Sequence, residues 1–227
     1  PQGDTAATGP NYVDALTVEF NRSLVLNYNF GFSGATVSRD IVPPYATFVQ
    51  MLPDQIAEFE AWNDAQQRKR VWTSEDSLFS FWFGINDIDL SWDNSTELPW
   101  HINLNIELTQ RYLKYVKTLF LSQYEMGARN MLFITVPPLQ RAPGMLAPPI
   151  TAQNRSFEAI LVEDYNARLS AGVDSFATAH APDGLRVWLY DAHATFNRIL
   201  DNPELVCCFS FWIDSEEEVD RGAPVWV

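Results

Sequence analysis

Ser77-Leu-Phe-Ser-Phe-Trp-Phe-Gly84-Ile-Asn86-Asp87-Ile88 decides how the rest of the chain is read. Seven mostly apolar residues run without helical periodicity and stop at Gly-x-Asn-Asp. That is the pattern of a buried parallel strand ending in a polar turn. In open α/β sheets, ligands bind beyond the carboxyl ends of such strands. Asn86 would stand there as a neutral donor aimed at charge that develops in a transition state, the task of an oxyanion hole. Gly84 would leave room for a substrate to approach, and Asp87 would anchor the turn. The same residues also fit a plain strand end, because Asn and Asp both favour turns.

The chain of 227 residues suits one α/β domain with a sizeable core, here taken as 1–227. With 47% apolar residues it has enough to bury, which excludes a disordered chain. Lys and Arg number 15 against 29 Asp and Glu, a formal charge of −14. No basic run is present to track phosphates, so nucleic acid is excluded as a partner. No apolar run is long enough to span a membrane, and the start does not resemble a signal peptide. The two cysteines, Cys207 and Cys208, are adjacent and give neither a disulfide framework nor metal-ligand spacing. Asn21-Arg-Ser, Asn94-Ser-Thr and Asn154-Arg-Ser are glycosylation sequons and point towards secretion.

Residues 1–9 read as loop. Asn11-Tyr-Val-Asp-Ala-Leu-Thr-Val-Glu-Phe20 reads as a helix with Tyr12, Val13, Leu16 and Phe20 on one face. Leu24-Val-Leu-Asn-Tyr-Asn-Phe30 reads as a strand, ending in the small-residue turn Gly31-Phe-Ser-Gly34-Ala-Thr36. A backbone N–H there could face a ligand, or the turn could simply need a positive φ. Residues 54–62 predict a helix with Ile56, Phe59 and Trp62 inward. Residues 89–101 read as a polar loop holding Trp92 and Trp100, which would either stack on a sugar or pack the loop. A long helix follows over about 104–126, with Gly127 as its C-cap. Residues 130–136 form the next strand, stopped by Pro137-Pro138, and 143–149 read as loop. Helix is predicted from about 152 to 171, continuing in pieces to 179; strand over 185–190; and a short helix over 192–200. Strand and helix alternate, so the sheet is expected to be parallel with helices on both faces.

Acyl hydrolysis needs a nucleophile, a base, an orienting carboxylate and oxyanion donors. Donors are at hand in the Gly34 N–H and the Asn86 amide. The candidate bases are His101, His180 and His193. Asp191-Ala-His193 is a tempting pair, but two residues apart at a strand-to-helix junction their side chains diverge, and a helix-opening Asp has a capping role of its own. No Ser ends an early buried strand.

These residues match a known family. Gly9-Pro-Asn-Tyr-Val-Asp-Ala-Leu16, Tyr28-Asn-Phe-Gly-Phe-Ser-Gly34-Ala-Thr36, Phe81-Trp-Phe-Gly-Ile-Asn86-Asp-Ile88, Gly127-Ala-Arg-Asn-Met-Leu-Phe133 with Val136-Pro-Pro138, and Tyr190-Asp191 with Phe196 and Ile199-Leu-Asp-Asn-Pro203 fall in family order. Over about residues 9–205 the chain resembles the GDSL or SGNH hydrolases, and within them carbohydrate esterase family sixteen, secreted fungal acetylesterases. The resemblance implies a flavodoxin-like three-layer sandwich with a parallel sheet. It also implies ester hydrolysis without metal or other cofactor, acting on a small acetylated sugar or oligosaccharide outside the cell. It makes Gly34 and Asn86 oxyanion-hole residues.

Two blocks of the family pattern are missing. The family opens with a buried strand ending in Gly-Asp-Ser, whose Ser is the nucleophile. Here Gly3-Asp4-Thr5 follows nothing apolar and lies too close to Gly9-Pro-Asn, so Thr5 is read as loop. The family closes with an Asp-x-x-His block, but no His follows Asp214 or Asp220. After about 205 the chain diverges, as a misjoined coding sequence would; finding the same tail in the transcript would end that idea. The expectation is therefore an SGNH-type domain truncated at its start, lacking its first strand, and inactive as it stands. Two alternatives are a non-catalytic carbohydrate-binding module on the same fold, and an enzyme using Asp191 and His193. The missing strand would leave two rows of backbone groups without partners. Each such group costs on the order of 1–3 kcal/mol, so poor stability is expected, with the Leu24 strand the least protected. The apolar tail over about 205–213 is a candidate to fill the gap.

Overall fold

The computed structural model describes residues 11–21, 23–66, 72–92, 97–121 and 127–205. Its centre is a three-stranded parallel sheet in the order β1 (Phe79–Phe81), β2 (Asn130–Ile134), β3 (Arg186–Tyr190). Phe79 pairs with Met131 and Phe81 with Phe133, while Met131 pairs with Val187 and Phe133 with Leu189. Because side chains alternate along a strand, this register puts Phe79, Phe81, Met131, Phe133, Val187 and Leu189 on one face. All six belong to the main core or pack against it.

Helices α4 (Leu98–Leu121) and α6 (Ala152–His180) dominate the covering layer. Leu108, Tyr112, Val116 and Leu119 form the buried stripe of α4, and Leu161, Tyr165, Leu169, Val173 and Phe176 that of α6. The three- and four-residue spacings place each set on one helical face. Thr151 starts α6 through a capping box, its hydroxyl accepting the Asn154 N–H while the Asn154 side-chain oxygen accepts the Thr151 N–H. Helix α2 (Leu52–Gln66) adds Ile56 and Phe59, whose ring meets Phe79 at 5.3 Å. Phe83 reaches Tyr112 at 5.7 Å, so the strand continues into the core past the end of its ladder.

Several expectations from the sequence need correction. Among the described residues the helices do not cover both sheet faces: the second row of β3, Arg186, Trp188 and Tyr190, is exposed. Residues 23–30 are not a strand; they carry no ladder, and Leu24 is 88% exposed. A strand needs a neighbour to satisfy its backbone, and no described segment lies beside this one as a ladder partner. The first helix is only Tyr12–Asp14 (α1), opened by an Asn11 capping box and running on as a wider π-turn over Ala15–Glu19. The predicted apolar face fails there, with Leu16 and Phe20 both exposed. Of the expected polar loop over 89–101, residues 89–91 belong to α3 (Ile85–Ser91) and 98–101 to α4. His101 is therefore a buried helical residue. Pro143–Leu146 is a short helix (α5) rather than loop, with proline in its first turn.

The helix over 152–179 is continuous as α6, and α7 (Ala192–Asp201) follows β3 as expected. The end of the long helix over 122–126, the Gly3-Asp4-Thr5 and Gly9-Pro10 words, Asn94, Cys207, Cys208 and the proposed filler beyond residue 205 lie outside the described residues.

Candidate functional site

The three strands end on one edge, and the turns that leave them are laced together. Beyond β1 the chain turns at Gly84, with φ 113°, into α3. A side chain at 84 would start 2.5 Å from the ring of Tyr165, whose hydroxyl donates to the Phe83 carbonyl at 3.2 Å. Gly84 thus makes room for a core tyrosine. The expectation that it leaves space for a substrate is corrected, because Tyr165 fills that space and is fully buried.

Asn86 and the Gly34 turn do come together. The Asn86 Nδ2 donates to the Ala35 carbonyl at 2.9 Å, and next to it the Asp87 Oδ1 accepts the Val37 N–H, also at 2.9 Å. These two bonds fasten the start of α3 to the turn over 33–37. Gly34 has φ 77°, and a β-carbon there would lie 2.3 Å from the Tyr45 ring, so glycine is required by both backbone and space. The N–H of Ala35 turns back to Phe32, at 3.2 Å, whereas the Gly34 N–H meets no acceptor among the described residues. Gly34 itself is buried; its neighbours Ser33 and Ala35, with Asn86, line a groove of about 740 Å³. That groove runs along β1 between residues 23–33 and 76–83, and Tyr28, Phe59, Trp62, Trp72 and Phe79 make much of its wall.

The electrostatics separate Asp87 from an ordinary turn residue. It is wholly buried, and removal from water pushes its pKa up to about 7 against the opposing bonds from Val37 and its own turn. Its second oxygen has no partner among the described residues. The hydroxyls of Tyr112 and Tyr165 are held well above the ordinary tyrosine range, first by burial and then by nearby charge that includes Asp87. On α6, Glu158 is also fully buried and pushed up to about 7, mainly by burial and then by Asp89.

The other strand ends are tied by Thr135 and Asn166. The Thr135 carbonyl accepts the Trp82 indole N–H at 3.0 Å, and its hydroxyl accepts the His193 backbone N–H at 3.1 Å. Asn166 brackets Val136, accepting its N–H and donating to its carbonyl, both at 2.8 Å. Asp191 caps α7 by accepting the Ala194 N–H at 2.9 Å, while the His193 ring lies 3.4 Å from Asn197. No Asp191–His193 hydrogen bond joins the two, and the His193 Nε2 is buried. His101 touches the Glu97 and Ser91 carbonyls and the Phe157 ring inside the helical layer. His180 pairs with Asp183 at the end of α6, on 3.1 Å.

Of the aromatic pair expected to meet a sugar, Trp92 packs against the core and Trp100 stands edge-on to His101. Of the sequons, Asn154 is buried in the α6 cap and so is closed to modification in the folded chain. Among the described residues no three His, Cys, Asp or Glu side chains converge as metal ligands. Sequence reasoning missed Tyr165 and Asn166. They lie about eighty residues from Gly84 and thirty from Val136 on a helix whose pattern marks only its buried face.

No protein-family model matches the chain. An acetylesterase from Thermothelomyces thermophilus is 35% identical over 202 residues, a stretch that covers 88% of this chain and 63% of that relative. The chain is thus similar to an acetylesterase over most of its own length and spans less than two thirds of the relative's.

Proposed function

We propose that this chain carries the oxyanion half of a GDSL- or SGNH-type carboxylic ester hydrolase, within one such domain over 1–227. Enzymes of the family it resembles remove acetyl groups from small carbohydrates outside the cell, through a serine nucleophile and without a cofactor, and this is the activity proposed for the domain. The observation that carries the reading is the pairing of Asn86 with the Gly34 turn. The turn after β1 and the turn that holds Gly34, 51 residues apart at Asn86 and Ala35, are bonded together, and Asn86, Ser33 and Ala35 line one groove. The similarity to an acetylesterase supports the same reading.

In that reading the ester carbonyl oxygen lies between the Gly34 N–H and the second hydrogen of the Asn86 amide. As the tetrahedral intermediate forms, these neutral donors stabilise its oxyanion without themselves changing charge. Neither residue attacks the ester. Because a triad acts as a unit, donors without a nucleophile leave the chain as it stands without turnover. The test is p-nitrophenyl acetate hydrolysis by the purified chain beside its Asn86→Ala variant. Equal background rates agree with the proposal. A rate in the parent that falls strongly in Asn86→Ala would reveal a nucleophile within the chain.

A further inference from the structure

We propose that α3 is a latch closed by protons: Glu158 on α6 and Asp87 on α3 hold the helix in place while both are neutral, and their loss of protons as pH climbs from acid to neutral releases it, and Asn86 with it. This is a property of the fold and holds with or without the hydrolase reading.

α3 has 7 residues, too few to persist on its own hydrogen bonds. It stays helical because of what grips it. At its start Asn86 and Asp87 bond to the turn over 33–37, and at its end the Ser91 carbonyl lies 3.2 Å from the His101 Nε2. Ile85 and Ile88 are buried between these points, and the helix lies against α6.

The two carboxyl groups in this joint are not equipped to carry charge. Both oxygens of Glu158 are buried with no partner among the described residues, and so is the second oxygen of Asp87. A buried carboxylate needs a cation or several donors. Among the described residues no ion pair reaches Asp87, Asp89 or Glu158. Their titratable neighbours are acids and phenols: half-buried Asp89 of α3 acts on Glu158, while Tyr112 of α4 and Tyr165 of α6 stand around Asp87. His101 of α4 sits beside the joint, its ring 5.0 Å from that of Phe157 and its nitrogens against the Glu97 and Ser91 carbonyls. The turn over 33–37 offers the Val37 N–H and no charged side chain.

Burial pushes Asp87 and Glu158 up to about 7, Glu158 with a further push from Asp89, which burial itself raises. Once α3 lifts off, these groups meet water and return to the ordinary carboxyl range. The closed state is therefore favoured most in acid and loses its advantage as pH rises from about 4 to 7. Asn86 is the second residue of α3, so opening withdraws its amide from the Ala35 carbonyl. β2 pairs with β1 and β3 and takes no part, which makes the opening local rather than global.

The experiment uses the full chain, labelled with carbon-13 and nitrogen-15. The carboxyl carbons of Asp87 and Glu158 should keep the position of neutral acids up to about pH 6. Amide exchange, corrected for its intrinsic rate, is followed at Ile88 and Trp92, which donate to the Gly84 and Ile88 carbonyls, with the β2 amides as reference. At neutral pH, Ile88 and Trp92 should exchange faster than β2 and with little dependence on urea, the mark of a local opening. Their protection should rise at least about tenfold when the pH is lowered to about 5, and Glu158→Gln should flatten most of that rise. If Glu158→Gln does not fold, as loss of β2 protection would show, the carbon positions and the exchange of the parent decide. Carboxyl carbons already ionised at pH 5, Ile88 and Trp92 matching β2 in rate and urea dependence at neutral pH, or a folded Glu158→Gln variant with the parent's full rise would each overturn the proposal. Protection at neutral pH regained with millimolar calcium chloride, but not with sodium chloride of equal ionic strength, would overturn it in favour of a bound cation.

Discussion

The Asn86 side-chain amide donates to the Ala35 carbonyl at 2.9 Å, joining the turn after β1 to the turn that holds Gly34. The carbonyl belongs to a buried residue, so removing its donor leaves a buried acceptor unsatisfied. Asn86→Ala should therefore lower stability by about 1–3 kcal/mol and speed amide exchange at Val37, the next fastening point. Urea denaturation and exchange by nuclear magnetic resonance would measure both. An unchanged Val37 would mean that the Asp87 bond alone holds the turn.

Gly84→Ala meets two obstacles at once. The backbone at 84 has φ 113°, and the new methyl would stand 2.5 Å from the buried Tyr165 ring. Unfavourable backbone and overpacking each cost about 1–3 kcal/mol. The variant should be destabilised by roughly the sum, or fail to accumulate as soluble protein. A urea midpoint within error of the parent would show that Tyr165 moves aside freely.

Asp87 should make stability depend on pH in the direction opposite to a salt-bridged carboxylate. Its pKa in the fold, about 7, lies above the ordinary value, so between about 4 and 7 the folded state holds more proton than the unfolded one. Stability from this group is then present at low pH and is lost as pH rises towards 7. Glu158, also pushed up to about 7, contributes with the same sign. Asp87→Asn keeps an acceptor for Val37 and cannot ionise. Relative to that variant, the parent should lose stability between about pH 4 and 7, by an amount on the order of a few kcal/mol, and run parallel to it above that range. Parallel stability curves for the two proteins over the whole range would contradict this.

Where the sequence was legible, one physical rule acted alone. The apolar runs over 77–83, 130–136 and 185–190 read as strands, and each holds a strand of the parallel sheet, while the Gly-x-Asn-Asp turn marked where the first of them stops. Asp87 as an anchor followed from the same four residues. Other features depend on partners far along the chain. Residues 23–30 have a strand's composition but no ladder, because pairing needs a neighbour that composition does not reveal. Gly84 looked like space for a ligand because nothing near it in sequence announces Tyr165. The helical start at Leu98 was hidden by Pro99 and Trp100, although proline early in a helix forfeits no bond.

The central proposal is that Asn86 and the Gly34 turn supply the oxyanion donors of an ester hydrolase. The most direct measurement joins the segments of the Thermothelomyces thermophilus acetylesterase that lie outside the matched 202 residues to the matching part of this chain. Acetyl ester hydrolysis is then compared in that chimera with and without Asn86→Ala, after a cooperative melt has shown that both fold. The account predicts activity in the chimera and a fall of about 10²–10³-fold in kcat on Asn86→Ala, the usual effect of losing one oxyanion donor. A folded, active chimera indifferent to Asn86→Ala would contradict it.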